Sequence, residues 1–271
     1  MTTPAPYSYV SPIPARKAHL GDALASEWTK IRSLRSTMWT LGVMLLLMLG
    51  VGLGVAAIVA ASEVATENES ALGLGFFGVL LGSICVITLG VLTIASEYGT
   101  GMIRTTLTAC PSRSRVLTAK AIVFFLLVFT VTTVTSAVVA FAQVSMVTAP
   151  DPTTAEWLRA TVGVGLFLAL LGLFSLAVGA IIRHSAGAIT IMIGVLLLPL
   201  VAAFFMFSES LASVQEWLLE YAVPSQLIAL YAGRPTVGES GPAGWEPVWI
   251  LLGVTAAAMT GAYALLNRRD V

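Results

Sequence analysis

Six long apolar runs divide this chain, at about residues 38–61, 73–95, 119–147, 160–182, 186–207 and 247–266. Each is close to or above the roughly 20 residues that a helix needs to cross the hydrocarbon of a bilayer. The fourth and fifth runs adjoin, and together they far exceed one bilayer thickness. The pattern therefore predicts two helices with a tight turn at Arg183, His184 and Ser185. Ahead of the first run, residues 22–37 place Leu24, Trp28, Ile31 and Leu34 at spacings of four, three and three, with Glu27, Lys30, Arg32 and Arg35 mostly elsewhere around the helix. This predicts an amphipathic helix leading into the membrane. Trp28, Lys30, Ile31, Arg32 and Arg35 are its candidate interfacial residues, suited to the headgroup level; a plain juxtamembrane anchor has the same pattern. Between the fifth and sixth runs, Leu211, Val214, Leu218 and Tyr221 form a stripe, and residues 226–232 form a second apolar piece that ends at Gly233. Two short helices are expected there at the outer interface, the second capped by Gly233.

Composition agrees with the pattern. The chain is 57% hydrophobic and 10% charged, with mean hydropathy +0.92, whereas an ordinary soluble domain carries about 25% charged residues. The expected fold class is an all-α integral membrane protein with six transmembrane helices. The expected organisation is an irregular Pro-rich segment at 1–21, a connecting helix at 22–37 and a six-span transmembrane domain at 38–271. The first apolar run begins near Met38 and is too long for a signal sequence, so it should stay as an anchor. Cys85 lies in an apolar run and Cys110 in a basic loop, which suggests two unpaired thiols rather than a disulfide framework.

Fourteen basic residues balance fourteen acids, which removes any global attraction to nucleic acid. Their distribution is far from even. Twelve of the fourteen bases fall on the side of the N-terminus, leaving Arg159 and Arg234 opposite, while ten of the fourteen acids fall opposite. By the positive-inside rule both termini face the cytoplasm.

Apart from Lys120 at the head of the third run, the spans carry no Asp, Glu, Lys, Arg or His, so nothing titrates in mid-membrane as a proton-coupled transporter requires. Sodium coupling at broken helices is left open, with only Pro199 interrupting a span. GxxxxGK[ST], HExxH and GxSxG are absent, and the two histidines are His19 and His184. Any uphill movement must draw on another chain. Thr132, Ser136 and Gln143 lie along one face of the third span as a candidate substrate path; the alternative is hydrogen bonding to backbone or a neighbouring helix, worth about 0.6–2 kcal/mol each. Small residues four apart, Gly50 and Gly54, Gly78 and Gly82, Ser175 and Gly179, suit close helix packing, with a gate as the other reading.

The polar segment 97–120, EYGTGMIRTTLTACPSRSRVLTAK, joins the second and third runs. After a Gly-containing break, residues 102–109 can form two helical turns, Pro111 stops them, and Arg113, Arg115 and Lys120 lead into the third span. Such a helix, held between two spans, can turn a push from a soluble domain into span movement. Glu97 and Arg104, seven apart, are the expected pair bracing it. An ordinary basic loop is the plain alternative.

This segment resembles the cytoplasmic loop of type-two ATP-binding-cassette exporter permeases. Their pattern E-[YF]-x-x-G-x-[IL]-R-x-x-L, then Pro, Arg and Ala-Lys, is met here by Glu97, Tyr98, Gly101, Ile103, Arg104, Leu107, Pro111, Arg113, Ala119 and Lys120. Gly99, Thr100 and Gly101 make the break more flexible than that pattern. The resemblance extends to the amphipathic helix, the six spans and the short helices around Pro224. It implies a bacterial plasma-membrane permease, non-catalytic itself, that dimerises with an identical or different permease subunit. It also implies separate cytoplasmic ATPase subunits that bind ATP and Mg, a coupling helix at the 97–120 loop, and export of a lipid, peptide or hydrophobic small molecule. The resemblance implies no cofactor in this chain and no nucleic acid partner. A different class of function is a membrane sensor or assembly factor that docks a soluble signalling protein through the same loop.

Overall fold

The computed structural model describes residues 19–62, 70–110, 112–206, 208–236 and 241–268. Most of the irregular Pro-rich opening lies outside them, as does Pro111. The expected amphipathic helix forms as α1 (Leu20–Ser33), its first turn held by the Asp22 carboxylate, which accepts the His19 amide at 2.9 Å. It does not run unbroken into the membrane. Leu34 adopts an extended conformation, and the first span begins afresh as α2 (Arg35–Ala61). That bend lets α1 lie against other spans instead of continuing the axis of α2.

A 3₁₀ turn (Ala71–Gly75) leads into α3 (Phe76–Gly99), followed by the short α4 (Met102–Ala109) and the long α5 (Arg113–Met146). Next come α6 (Thr154–Leu158), a π-helical turn (Arg159–Gly163) and α7 (Val164–Ile182) in one continuous run. Arg183 ends α7 in the left-handed conformation (φ 58°), and His184 Nδ1 accepts the Gly187 amide at 3.1 Å to start α8 (Ser185–Phe204). This is the tight turn expected between runs four and five. The short helices are α9 (Ala212–Tyr221) and α10 (Val223–Ala232), the latter capped by Gly233 at φ 72°, and α11 (Glu246–Arg268) closes the chain. Among the described residues, six helical runs are long and apolar enough to cross a membrane.

Packing places α3 and α7 at the centre, with α2 and α8 on α3 and with α5, α8 and α11 on α7. Without a hydrophobic drive between helices in lipid, close backbone approach supplies the attraction. On α3 a side chain at Gly78 would meet Met48 O at 2.8 Å, and one at Gly82 would meet Met48 Cγ at 2.8 Å. A side chain at Gly179 would press on Val91 O of α3 at 3.1 Å. The pair Gly50 and Gly54 does not follow the packing expectation. Both face open space, because α2 buries the register of Met44, Met48, Gly52 and Ala56 instead. Near the far ends of the spans, Arg159 Nε donates to Leu230 O at 3.2 Å and fixes the end of α10.

Gly78→Val should force α2 from α3 and destabilise the chain by about 1–3 kcal/mol, as overpacking does, whereas Gly54→Ala should leave it within about 0.5 kcal/mol. Thermal melts of the detergent-solubilised chain test this. Equal behaviour of the two variants would mean that the α2–α3 contact is not set by these small residues.

Candidate functional site

Charged residues from the second half of α1 (Glu27, Lys30), the C-terminal end of α3 (Glu97) and the first turns of α5 (Lys120) meet where the apolar bodies of the spans stop. Helix α3 continues one turn past its apolar run to Gly99, and α5 begins a turn and a half before its own, so Glu97 and Lys120 sit on helix rather than loop. Both are almost fully buried, at 2% exposure each. A buried ion left alone costs several kcal/mol, and the fold answers with a closed network. Lys120 Nζ lies 2.7 Å from Glu27 Oε2 and 2.8 Å from Glu97 Oε1, while Lys30 Nζ lies 2.7 Å from Glu27 Oε1 and 2.9 Å from Glu97 Oε1. Two carboxylates and two ammonium groups, drawn from α1, α3 and α5, cancel in charge.

The short helix α4 joins this network through a side chain. Lys30 Nζ also donates to Thr106 Oγ1 at 3.3 Å. One ammonium thus contacts α1 through Glu27, α3 through Glu97 and α4 through Thr106. Burial by itself would pull the Lys30 pKa down; the hydrogen bonds and charges of Glu27 and Glu97 outweigh it and hold the pKa above the ordinary lysine value. Its contribution to stability is therefore complete below the ordinary lysine pKa and is lost only as pH rises through the raised one.

This arrangement corrects the expected Glu97–Arg104 brace. Glu97 turns inward to the two lysines, and Arg104 stands exposed on the far side of α4, without an ion pair among the described residues. The reason is geometric. Gly101, left-handed at φ 72°, breaks the helix between them, so the seven-residue spacing no longer sets a common face. Ile103, 4% exposed, anchors α4 from below and Leu107 is half-buried, leaving Arg104, Thr105 and Thr108 outward.

The other predicted residues are placed as follows. Tyr98 is half-buried with the Arg183 guanidinium 4.9 Å above its ring, tying α3 to the α7–α8 turn. Arg113 Nη1 donates to Leu266 O at 2.9 Å near the end of α11, and Thr118 Oγ1 lies 2.7 Å from Tyr263 Oη. Of the interfacial set, Ile31 is buried and Lys30 is in the network, whereas Trp28, Arg32 and Arg35 are exposed. Trp28 borders an apolar groove between α1 and α5 with Leu126 and Leu127. Along the candidate path, the Thr132 hydroxyl donates to Val128 O of its own helix, and Gln143 Nε2 donates to Gly52 O of α2 at 3.1 Å. Ser136 and Gln143 border a cavity of only about 10 Å³, room for a single water. Of the three, Gln143 alone ties two helices together; the Thr132 bond stays within α5, and Ser136 Oγ has no hydrogen-bond partner among the described residues.

Sequence reasoning passed over Glu27 and Thr106. The available signal was charge bookkeeping on the basic side: only Asp22, Glu27, Glu97 and Asp270 are acidic there, and two of them flank apolar segments.

Residues 23–198 match the model of the ABC-2 family transporter proteins. The matched stretch runs from α1 into α8 and contains all four charged members of the network and the whole of α4. The chain belongs to the ABC-2 transporter family. No curated protein matches it. An ABC-2 permease is a membrane subunit, generally non-catalytic, that works with an ATPase partner in a dimeric arrangement. In this ABC-2 permease the segment between the second and third spans is thus physically linked to α1, α3 and α5 by charge.

Lys120→Met, which leaves two carboxylates with one ammonium, should lower stability by about 3–5 kcal/mol, the cost of an uncompensated buried charge. Glu97→Gln should act in the same direction. The double variant should lose less than the sum of the two, since each removal relieves the charge exposed by the other. Additive losses in chemical or thermal unfolding would show that the two charges are not coupled.

Proposed function

We propose that this chain is the transmembrane permease subunit of an exporter, in a bacterial plasma membrane, whose power stroke comes from separate cytoplasmic ATPase subunits carrying ATP and Mg. The face bearing α1 and α4 is cytoplasmic on this reading, as the concentration of bases there requires. Both termini then lie inside. The cargo is a lipid, a peptide or a hydrophobic small molecule, consistent with spans whose bodies are apolar.

The mechanism follows from the ion network. An ATPase pressing on the outward face of α4, where Arg104, Thr105 and Thr108 are presented, moves a helix seated on Ile103 and bound through Thr106 to Lys30. Lys30 is held by Glu27 of α1 and Glu97 of α3, and both carboxylates share Lys120 of α5. Displacement of α4 is therefore passed to three helices together, because separating any one of them from the others exposes a buried charge. The observation that carries this reading is the single Lys30 ammonium touching α1, α3 and α4 at once. A second permease subunit completes the path across the membrane, and surrounding lipids cover the exposed apolar faces.

Arg104 is exposed, so Arg104→Glu should leave the melting behaviour within about 0.5 kcal/mol of the parent. It should nonetheless abolish co-purification with the ATPase or the stimulated ATP turnover. Wild-type coupling in that variant would overturn α4 as the docking helix.

A further inference from the structure

A cavity of about 600 Å³ opens between α1, α2 and α3, next to the ion network. Its volume is that of a ligand pocket. Its lining is mixed. Leu34, Leu89, Leu92 and Met102 are apolar, with Leu34 45% exposed and Met102 38%. Six hydroxyl residues are interleaved with them, Ser36, Thr37 and Thr40 on α2 and Thr93, Ser96 and Thr100 on or just after α3, and four of these have already committed their proton to a carbonyl of their own helix. Thr40 donates to Ser36 O at 2.9 Å, Thr93 to Leu89 O at 2.7 Å, Ser96 to Leu92 O at 2.5 Å and Thr100 to Ser96 O at 2.9 Å. Each hydroxyl oxygen then offers lone pairs only.

The charged residues bordering the cavity extend this bias. Lys30 uses its three protons on Glu27, Glu97 and Thr106, and Lys120 is buried against both carboxylates. Glu97, which also borders the cavity, keeps Oε2 buried with no hydrogen-bond partner among the described residues. The Ser36 and Thr37 hydroxyls remain as donors, but the polar lining as a whole holds more acceptors than donors. An anionic or phosphate-bearing head would meet lone pairs it cannot satisfy. A primary ammonium, with three donors and a positive charge, complements them.

We propose that this cavity binds the head of an amphiphilic primary amine taken from the leaflet on the α1 side, its ammonium against the committed hydroxyls and its chain along Leu34, Leu89 and Leu92. The position suits this occupant: the cavity sits at the membrane end of α2 and α3, beside the bend at Leu34 that separates α1 from α2. The binding needs neither ATP nor a partner chain, so its failure would leave the proposed coupling standing.

The test is equilibrium binding of radiolabelled dodecylamine to the full chain in phosphatidylcholine nanodiscs, with dodecyltrimethylammonium and dodecanol as competitors. Charge-assisted hydrogen bonds are roughly twice as strong as neutral ones, and the trimethyl compound keeps the charge but has no donor. Dodecylamine should bind at least about tenfold more tightly than either competitor, a difference of about 1.4 kcal/mol. Thr93→Val with Ser96→Ala removes two acceptors at nearly constant volume and should erase that preference. Thr40→Val, on a different helix, should reduce it if the α3 variant does not fold. Equal affinity for the three probes, or a preference unchanged by these variants, would overturn the proposal. So would displacement by soluble ethanolamine as effective as that by dodecylamine, since no chain would then be needed.

Discussion

Lys120 is a positive charge placed where water cannot reach it, and most of what is distinctive on this face of the molecule follows from neutralising it. Its two partners, Glu27 and Glu97, come from helices on either side of the first span in sequence, and each carboxylate is in turn shared with Lys30. A charge at 2% exposure tolerates no loose arrangement. The network therefore fixes α1, α3 and α5 relative to one another more sharply than apolar contacts in lipid can, since those are non-directional and tails compete for the same surfaces.

The remainder of the fold can be read as two kinds of contact. Deep in the membrane, small residues bring α2, α3 and α7 into backbone contact, and polar side chains such as Gln143 and Thr132 hydrogen-bond to carbonyls instead of facing lipid. At the α1 end, ionic and hydrogen-bonded links take over: Arg183 over Tyr98, Arg113 to Leu266 O, Thr118 to Tyr263. The membrane interior is thus held by shape and its α1-side rim by charge. A force applied at that rim would reach several spans at once, as the proposed coupling to an ATPase requires.

The bend at Leu34 has a second consequence. By turning α1 back on α5 it brings Glu27 inward and opens the space beside α2 and α3 that is lined by hydroxyls. A single continuous helix through residues 22–37 would have carried Glu27 away from Lys120 and closed off neither charge.

The order and approximate limits of the six spans, the turn at Arg183 and His184, the short helices before α11 and the Gly233 cap were all legible in the sequence. Each depends on local periodicity or on one residue's backbone preference, and such signals need no knowledge of neighbours. The short helix α4 was legible for the same reason. The partners of Glu97 were not. Seven-residue spacing pointed to Arg104, but Gly101 turned the chain between them, and the true partners lie 67 and 23 residues away. Glu27 looked like part of a solvated face because hydrophobic spacing cannot tell which polar residue a distant buried lysine will recruit. Likewise Gly50 and Gly54 matched a packing pattern that only the register of α2 against α3 could deny them. Local chain chemistry set the helices and where they stop; pairing among charges far apart in sequence was decided by tertiary packing, because the cost of burying an ion exists only once the surrounding helices have excluded water.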